Sequence, residues 1–159
     1  MGLISEKLRT MGVVLPAPIR LPDGELPFPW VRVLGNRALI SGHGPASGDG
    51  LYSGSKGRVG AEVSFEEAYA AARDTAYAVL ANLERELGDL DRVAGWARVF
   101  GMVNCVPGFA RIPEVINGFS DVIIEVYGLE RGRHARSAIG VAELPFGIPV
   151  EVEAEVLLA

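Results

Sequence analysis

The sequence predicts one α+β domain in which two helices pack on one face of a mixed sheet. Three observations carry that prediction. Ser64 to Leu87 shows a helix start signal followed by apolar residues at three- and four-residue spacing. Phe109 to Tyr127 repeats the helical spacing. Val93–Asn104, Arg136–Ala142 and Val150–Leu158 alternate with a period of two, as strands do. With two strands ahead of the first long helix, the order is β-β-α-β-α-β-β.

Leu3, Ile4, Leu8 and Met11 fall on one side of a short helix that ends near Gly12. Val13 to Pro29 holds five prolines and the turn sequence Pro22-Asp23-Gly24, and reads as an extended lead-in. Trp30–Leu34 and Arg37–Ser41 are strands joined by Gly35-Asn36, a hairpin turn signal. Seven of the 20 glycines then lie between Gly42 and Gly60 with no repeat, which predicts a long mobile loop.

In the first long helix, Ser64 and Glu67 form a capping box and Gly88 marks the stop. In the strand 93–104, Trp96, Arg98, Phe100 and Met102 are expected on one face, with Val99, Gly101 and Val103 on the other. The second helix presents Phe109, Ile112, Ile116, Phe119, Ile123 and Val126, stops at Gly128, and tolerates Pro113 only in its first turn. The last two strands are expected to form a hairpin around Glu143–Ile148. Since the strands carry apolar residues on both sides, the sheet face away from the helices is expected to be covered by a partner subunit.

Composition excludes several classes of function. At 49% hydrophobic and 22% charged residues the chain has a globular profile, and its net charge of −5 opposes general attraction to phosphate backbones. One cysteine, Cys105, cannot make an intramolecular disulfide. No apolar run approaches a membrane span, and Met1–Glu6 lacks the basic head of a signal peptide, so a cytoplasmic protein is expected. His43, His134 and Cys105 have no zinc-ligand spacing, and neither the dinucleotide fingerprint nor a Walker loop survives inspection around Gly42 or Lys56. No metal and no cofactor are expected.

The remaining chemistry centres on Arg136 and the glutamates of the last strand. Arg136 shares a strand face with Ala138, Gly140 and Ala142, which leaves room beside a fixed guanidinium for a small carboxylate; the alternative is an ion pair with a glutamate opposite. Glu151, Glu153 and Glu155 form a carboxylate ladder that is either a solvated face or the source of a group acting on water. Phe28 and Trp30 are candidates for an apolar wall or for core packing. Asn117 points off the second helix. Arg131, Arg133, His134 and Arg136 form a basic patch that lacks the alternating aromatics of an RNA surface.

Arg133–Pro145 together with Val150–Ala154 resembles the C-terminal signature of the RidA (YjgF-type) enamine/imine deaminase family. Gly35-Asn36, Ile40-Ser41-Gly42, Gly88–Val93 and Val115-Ile116-Asn117 match in the same order. The likeness covers roughly residues 28–158, with 1–27 as an N-terminal extension of a single domain, 1–159. It implies a chorismate-mutase-like fold assembled as a homotrimer with clefts between subunits. It further implies hydrolysis of 2-enamine or 2-imino acids to 2-keto acids and ammonia without a cofactor. Arg136 would bind the substrate carboxylate and Glu151 would handle the attacking water. Phe28 or Trp30, Ser41, Gly42, Asn117 and Ala138 would line the pocket.

His43 stands where the family commonly has glutamine, Ala138 where it commonly has cysteine, and both the N-terminal segment and the 43–60 loop are longer. These departures indicate a longer, divergent subgroup. A non-catalytic trimer that senses small carboxylates, and an endoribonuclease, are the competing functions.

Overall fold

The computed structural model describes residues 2–21, 24 and 26–159, so the turn expected at Pro22-Asp23 lies outside the described residues. Five strands, β1 (Val31–Leu34), β2 (Arg37–His43), β3 (Val93–Asn104), β4 (Ala135–Val141) and β5 (Val150–Leu158), form one sheet in the order β1-β2-β5-β3-β4. Three helices accompany it, α1 (Leu3–Thr10), α2 (Phe65–Leu87) and α3 (Ile112–Gly132), with α2 and α3 packed on one sheet face. Neighbouring strands are antiparallel except β3 and β4, which run parallel, so the sheet is mixed. This is the α+β, chorismate-mutase-like architecture expected from the sequence.

The terminal hairpin is not formed. β5 lies between β2 and β3, and β4 occupies the far edge beside β3. Burial gives the reason. Val150, Val152 and Val156 are fully buried and require a central strand, whereas β4 has no fully buried residue and suits an edge. A parallel neighbour for β3 also needs a crossover, and α3 supplies it.

Trp96 is the second correction. The β3–β5 register shifts between Trp96 and Arg98, so Trp96 opposes Val156 while Arg98 opposes Glu155. This bulge turns the indole into the core, against Phe119 and Tyr127 at centroid distances of 5.9 and 6.0 Å. Arg98, Phe100 and Met102 remain on the opposite face.

The predicted capping box starts α2: the Ser64 hydroxyl accepts from the Glu67 N–H at 3.2 Å, and the Glu67 carboxylate accepts from the Ser64 N–H at 2.8 Å. The alanine face of α2, Ala68, Ala72 and Ala76, is completely buried and lets α3 approach closely. The tightest point is Gly118, where a Cβ would collide with the Tyr69 carbonyl oxygen. α3 begins at Ile112 rather than Phe109, with Pro113 in its first turn. Gly128 leaves helical geometry at φ 77°, but another turn continues to Gly132.

The segment between β2 and α2 is anchored along its length rather than free. Ala46 bridges to Tyr52, and fully buried Val59 bridges to both Val63 and Cys105. The lead-in runs beside it: Ala17 and Arg20 donate their N–H groups to the carbonyls of Gly48 and Gly50. α1 buries Ile4 and Leu8, and its first N–H groups, on Leu3 and Ile4, donate to the Asp91 carboxylate. The sheet face away from the helices is partly open. Leu39, Ile139 and Leu157 are 37, 42 and 41% exposed there.

Gly118→Ala should separate α2 from α3 and destabilise the fold by about 1–3 kcal/mol, measured as a lower urea midpoint at unchanged slope.

Candidate functional site

The predicted site residues fall into two groups. The first lies between β4 and α3. Arg136 pairs in register with Val99, which turns its side chain to the helix-covered face. There its Nη1 donates to Asn117 Oδ1 at 2.9 Å and to Ser120 Oγ at 3.1 Å, and its Nη2 donates to the Pro113 carbonyl at 3.1 Å. Asn117 and Ser120 are one helical turn apart, so α3 offers both acceptors from one face. Ala138 follows two residues along β4, aligned with Gly101, and keeps the space beside the guanidinium small-walled.

The glutamates of β5 point to the other face, so Arg136 forms no ion pair with that ladder. Glu155 is bound instead by Arg37, at 2.5 Å. Partial burial lowers the Arg136 pKa and nearby Asp121 offsets this. The guanidinium therefore stays charged, aimed by α3, and among the described residues its Nε–H and one Nη2–H have no partner.

The second group gathers around Glu151. Ser41 and Gly42 lie where the β2–β5 register shifts, between Ile40 and His43, and a Cβ at Gly42 would collide with the Glu151 carboxylate. The absence of a side chain there is what brings backbone and carboxylate together. Ser41 donates its N–H to the Trp30 carbonyl and its hydroxyl to the Pro29 carbonyl, tying this point to the segment bearing Phe28 and Trp30. Those rings meet edge to face at 6.2 Å, beside a shallow cavity of about 330 Å³ that also touches Ile19, Leu21 and Leu26. Burial, and secondarily the charge of Glu153, raises the Glu151 pKa. A carboxylate raised in this way is a better proton acceptor than an ordinary exposed one.

Glu151 pairs with Met102 and faces the open side, whereas Arg136 faces the helices. Within one chain the two groups therefore lie on opposite faces of the sheet.

Several neighbours were not singled out as site residues from the sequence. Tyr52, from the glycine-rich segment, stacks on Phe146 at 5.3 Å. Its pKa is raised by burial and by the charge of Glu151. Ser120 and His134 adjoin Arg136; the spacing that could have found them is Ser120 one turn after Asn117 and His134 two residues before Arg136. Arg131 was grouped with a basic patch, but it donates to the Val93 and Asp91 carbonyls and lies over Tyr127 at 5.2 Å.

His43 is fully buried behind the second group. Its Nδ1–H donates to the Ser41 carbonyl at 2.6 Å, and its Nε2 accepts from Asn82 Nδ2 at 2.8 Å. Arg85 links this pair onward, donating to Asn82 Oδ1 and to the Pro16 carbonyl. Cys105 is half-buried and burial raises its pKa, which keeps the thiol protonated. Among the described residues no group of three or more His, Cys, Asp or Glu could hold a metal ion, and no helix is long and apolar enough to cross a membrane.

Comparison with known proteins places this architecture. Residues 14–149 match the family model described as "YjgF/chorismate_mutase-like, putative endoribonuclease". A curated relative, Protein TCP17 of Trypanosoma cruzi, is 38% identical over 157 residues, covering 99% of this chain and 95% of its own length. The crystal structure of protein Atu1372 from Agrobacterium tumefaciens, described as having unknown function, superposes with a TM-score of 0.85 at 34% identity, covering 98% of this chain and 92% of that one. A "putative endoribonuclease" from Shewanella oneidensis MR-1 gives a TM-score of 0.86 at 26% identity, covering 99% and 100%. The chain belongs to the YjgF/chorismate-mutase-like family.

His43 makes acid stability a direct readout of the second group. Burial lowers its pKa from the ordinary 6.5 to about 4. Between those values the unfolded chain binds a proton that the folded chain refuses. Stability should therefore fall as pH drops through that window and level off below it, by at most on the order of 3 kcal/mol. His43→Gln should flatten this loss, read from urea midpoints at about pH 7 and about pH 4.5.

Proposed function

We propose that the protein hydrolyses small 2-imino acids to 2-keto acids and ammonia. The reaction would take place in the cytoplasm, in clefts of a homotrimer that join the Arg136 group of one protomer to the Glu151 group of another. The observation that carries this reading is the state of Arg136. Three of its N–H groups are spent on α3, and two remain for a carboxylate. The opposite-face placement of Glu151 favours a shared cleft, because a single chain cannot bring both groups to one substrate.

In this scheme Arg136 grips the substrate carboxylate and Ala138 leaves room at the reacting carbon. Glu151 takes a proton from water as the water oxygen bonds to the imine carbon. The proton passes to the imine nitrogen to give the carbinolamine. Its hydroxyl then loses its proton to form the keto C=O as the carbon–nitrogen bond breaks. The nitrogen takes up that proton, and ammonia leaves with the 2-keto acid remaining. No electrons are exchanged, so the chemistry calls for no redox partner. The apolar wall of Phe28 and Trp30 would face the substrate side chain.

An endoribonuclease is less well supported by the site. Arg131 is committed to backbone carbonyls, which removes it from a phosphate-binding patch.

With an aminoacrylate-generating system, wild type should release ammonia and pyruvate. Arg136→Ala should be slowed roughly tenfold or more, equivalent to about 1.5–3 kcal/mol. Equal rates with folding intact would overturn the anchor role. Pyruvate binding without turnover in wild type would instead indicate a carboxylate sensor.

Mixing tests the shared cleft. Arg136→Ala and Glu151→Gln should each be slowed roughly tenfold or more alone. Co-refolded mixtures should recover about a quarter of the wild-type clefts by random assortment. No recovery, with mixed oligomers present, would mean that both residues act from one chain.

A further inference from the structure

Beside Arg136, between α3 and the start of β4, lies a shallow cavity of about 160 Å³ lined by Ser120, Ile124, Arg133, His134 and Arg136. A continuous hydrogen-bond path crosses it. His134 Nδ1 lies 2.7 Å from the Gly132 carbonyl, which can only accept, so this nitrogen carries the proton. The other ring nitrogen, Nε2, lies 2.9 Å from Ser120 Oγ and accepts the hydroxyl hydrogen. Ser120 Oγ then has its lone pairs free to accept from Arg136 Nη1 at 3.1 Å. Gly132 thus fixes the ring, the ring fixes the hydroxyl, and the hydroxyl holds the guanidinium.

We propose that Ser120 and His134 are positioning residues that aim Arg136 and couple its grip on a carboxylate to the protonation of His134. The proposal rests on the reading of Arg136 as a carboxylate anchor. When the ring takes a second proton, Nε2–H donates to Ser120 Oγ and the hydroxyl hydrogen turns away. The oxygen still accepts from Arg136. A positive charge has then joined Arg133 and Arg136 around one cavity. Asp121 on α3 also acts on Arg136, and β3 contributes no residue to the cavity lining. A bound carboxylate offsets the added charge, so ring protonation and carboxylate binding favour each other by the same factor. Burial is the main cause holding the ring below the ordinary histidine range; the Gly132 carbonyl opposes it and the Arg136 charge adds to it.

The chain has two histidines, and burial pushes the His43 pKa down to about 4, so the His134 ring can be followed on its own by NMR. Without ligand, Arg136→Gln should raise the His134 pKa. An unmoved titration overturns the coupling. In wild type, calorimetry should show pyruvate binding several-fold more tightly at about pH 5.5 than at about pH 8. Saturating pyruvate should raise the His134 pKa by the matching factor.

His134→Gln keeps an acceptor for Ser120 but cannot ionise. It should lose the His134 part of the pH dependence, leaving only that of other groups such as Glu151. The same pH dependence in His134→Gln as in wild type overturns the proposal. Ser120→Ala should weaken pyruvate binding, and Ser120→Thr, which restores the hydroxyl, should recover it. Equal pyruvate affinity in wild type and Arg136→Gln defeats the anchor reading, and with it the carboxylate link. The ligand-free titration then still decides whether ring and guanidinium are coupled.

Discussion

β5 is hydrogen-bonded on both sides, to β2 and to β3, and this central position governs both groups of the candidate site. A strand shows alternate residues to alternate faces, so burying Val150, Val152 and Val156 under the helices commits Glu151, Glu153 and Glu155 to the other side. The same pairing sends β4 to the edge beyond β3, in parallel, with α3 as the connection. Arg136 then falls in line with Val99 and beneath α3. A slip of one residue in either register would exchange the faces of every side chain on that strand.

The two groups solve opposite electrostatic problems. At Arg136 the difficulty is orientation, because a guanidinium on a flexible stem loses entropy when it grips a ligand. Asn117, Ser120 and the Pro113 carbonyl hold it in place beforehand. At Glu151 the difficulty is basicity. Burial beside the Gly42 backbone raises the carboxylate, and the charge of Glu153 adds to this. Behind this second group, His43, Asn82 and Arg85 join the Ser41 carbonyl to the N-terminal lead-in at Pro16. The N-terminal segment is therefore connected to the site's backbone by polar contacts, and α1 adds Ile4 and Leu8 to the core.

Local signals were read well where the physics is local. The Ser64–Glu67 capping box, the left-handed Gly88 and the two-residue turn at Gly35-Asn36 depend on neighbours within a few residues. All three appear where the sequence put them. Readings failed where a distant partner decides. Alternation alone put Trp96 beside Arg98, because a bulge is defined by the opposing strand and not by the bulged one. Glycine density suggested a mobile loop, yet Gly48 and Gly50 serve as acceptors for the lead-in while Val59 packs into the core. Ser120 carries no signal of its own, and His134 reads only as part of a basic patch, until α3 is laid across β4.

By itself, the sequence determined the number and order of the elements and the α+β class. Residue type and short-range spacing also marked Arg136 and the ladder of Glu151, Glu153 and Glu155 as chemistry to explain, and the family resemblance picked Glu151 from that ladder. Tertiary structure alone decided that the last two strands part company and that Arg136 is held by α3 rather than by a glutamate. It also decided that Arg136 and Glu151 sit on opposite faces of one sheet. Strand order and register come from pairing between segments far apart in the chain, where competition for the buried centre of the sheet outweighs any local preference.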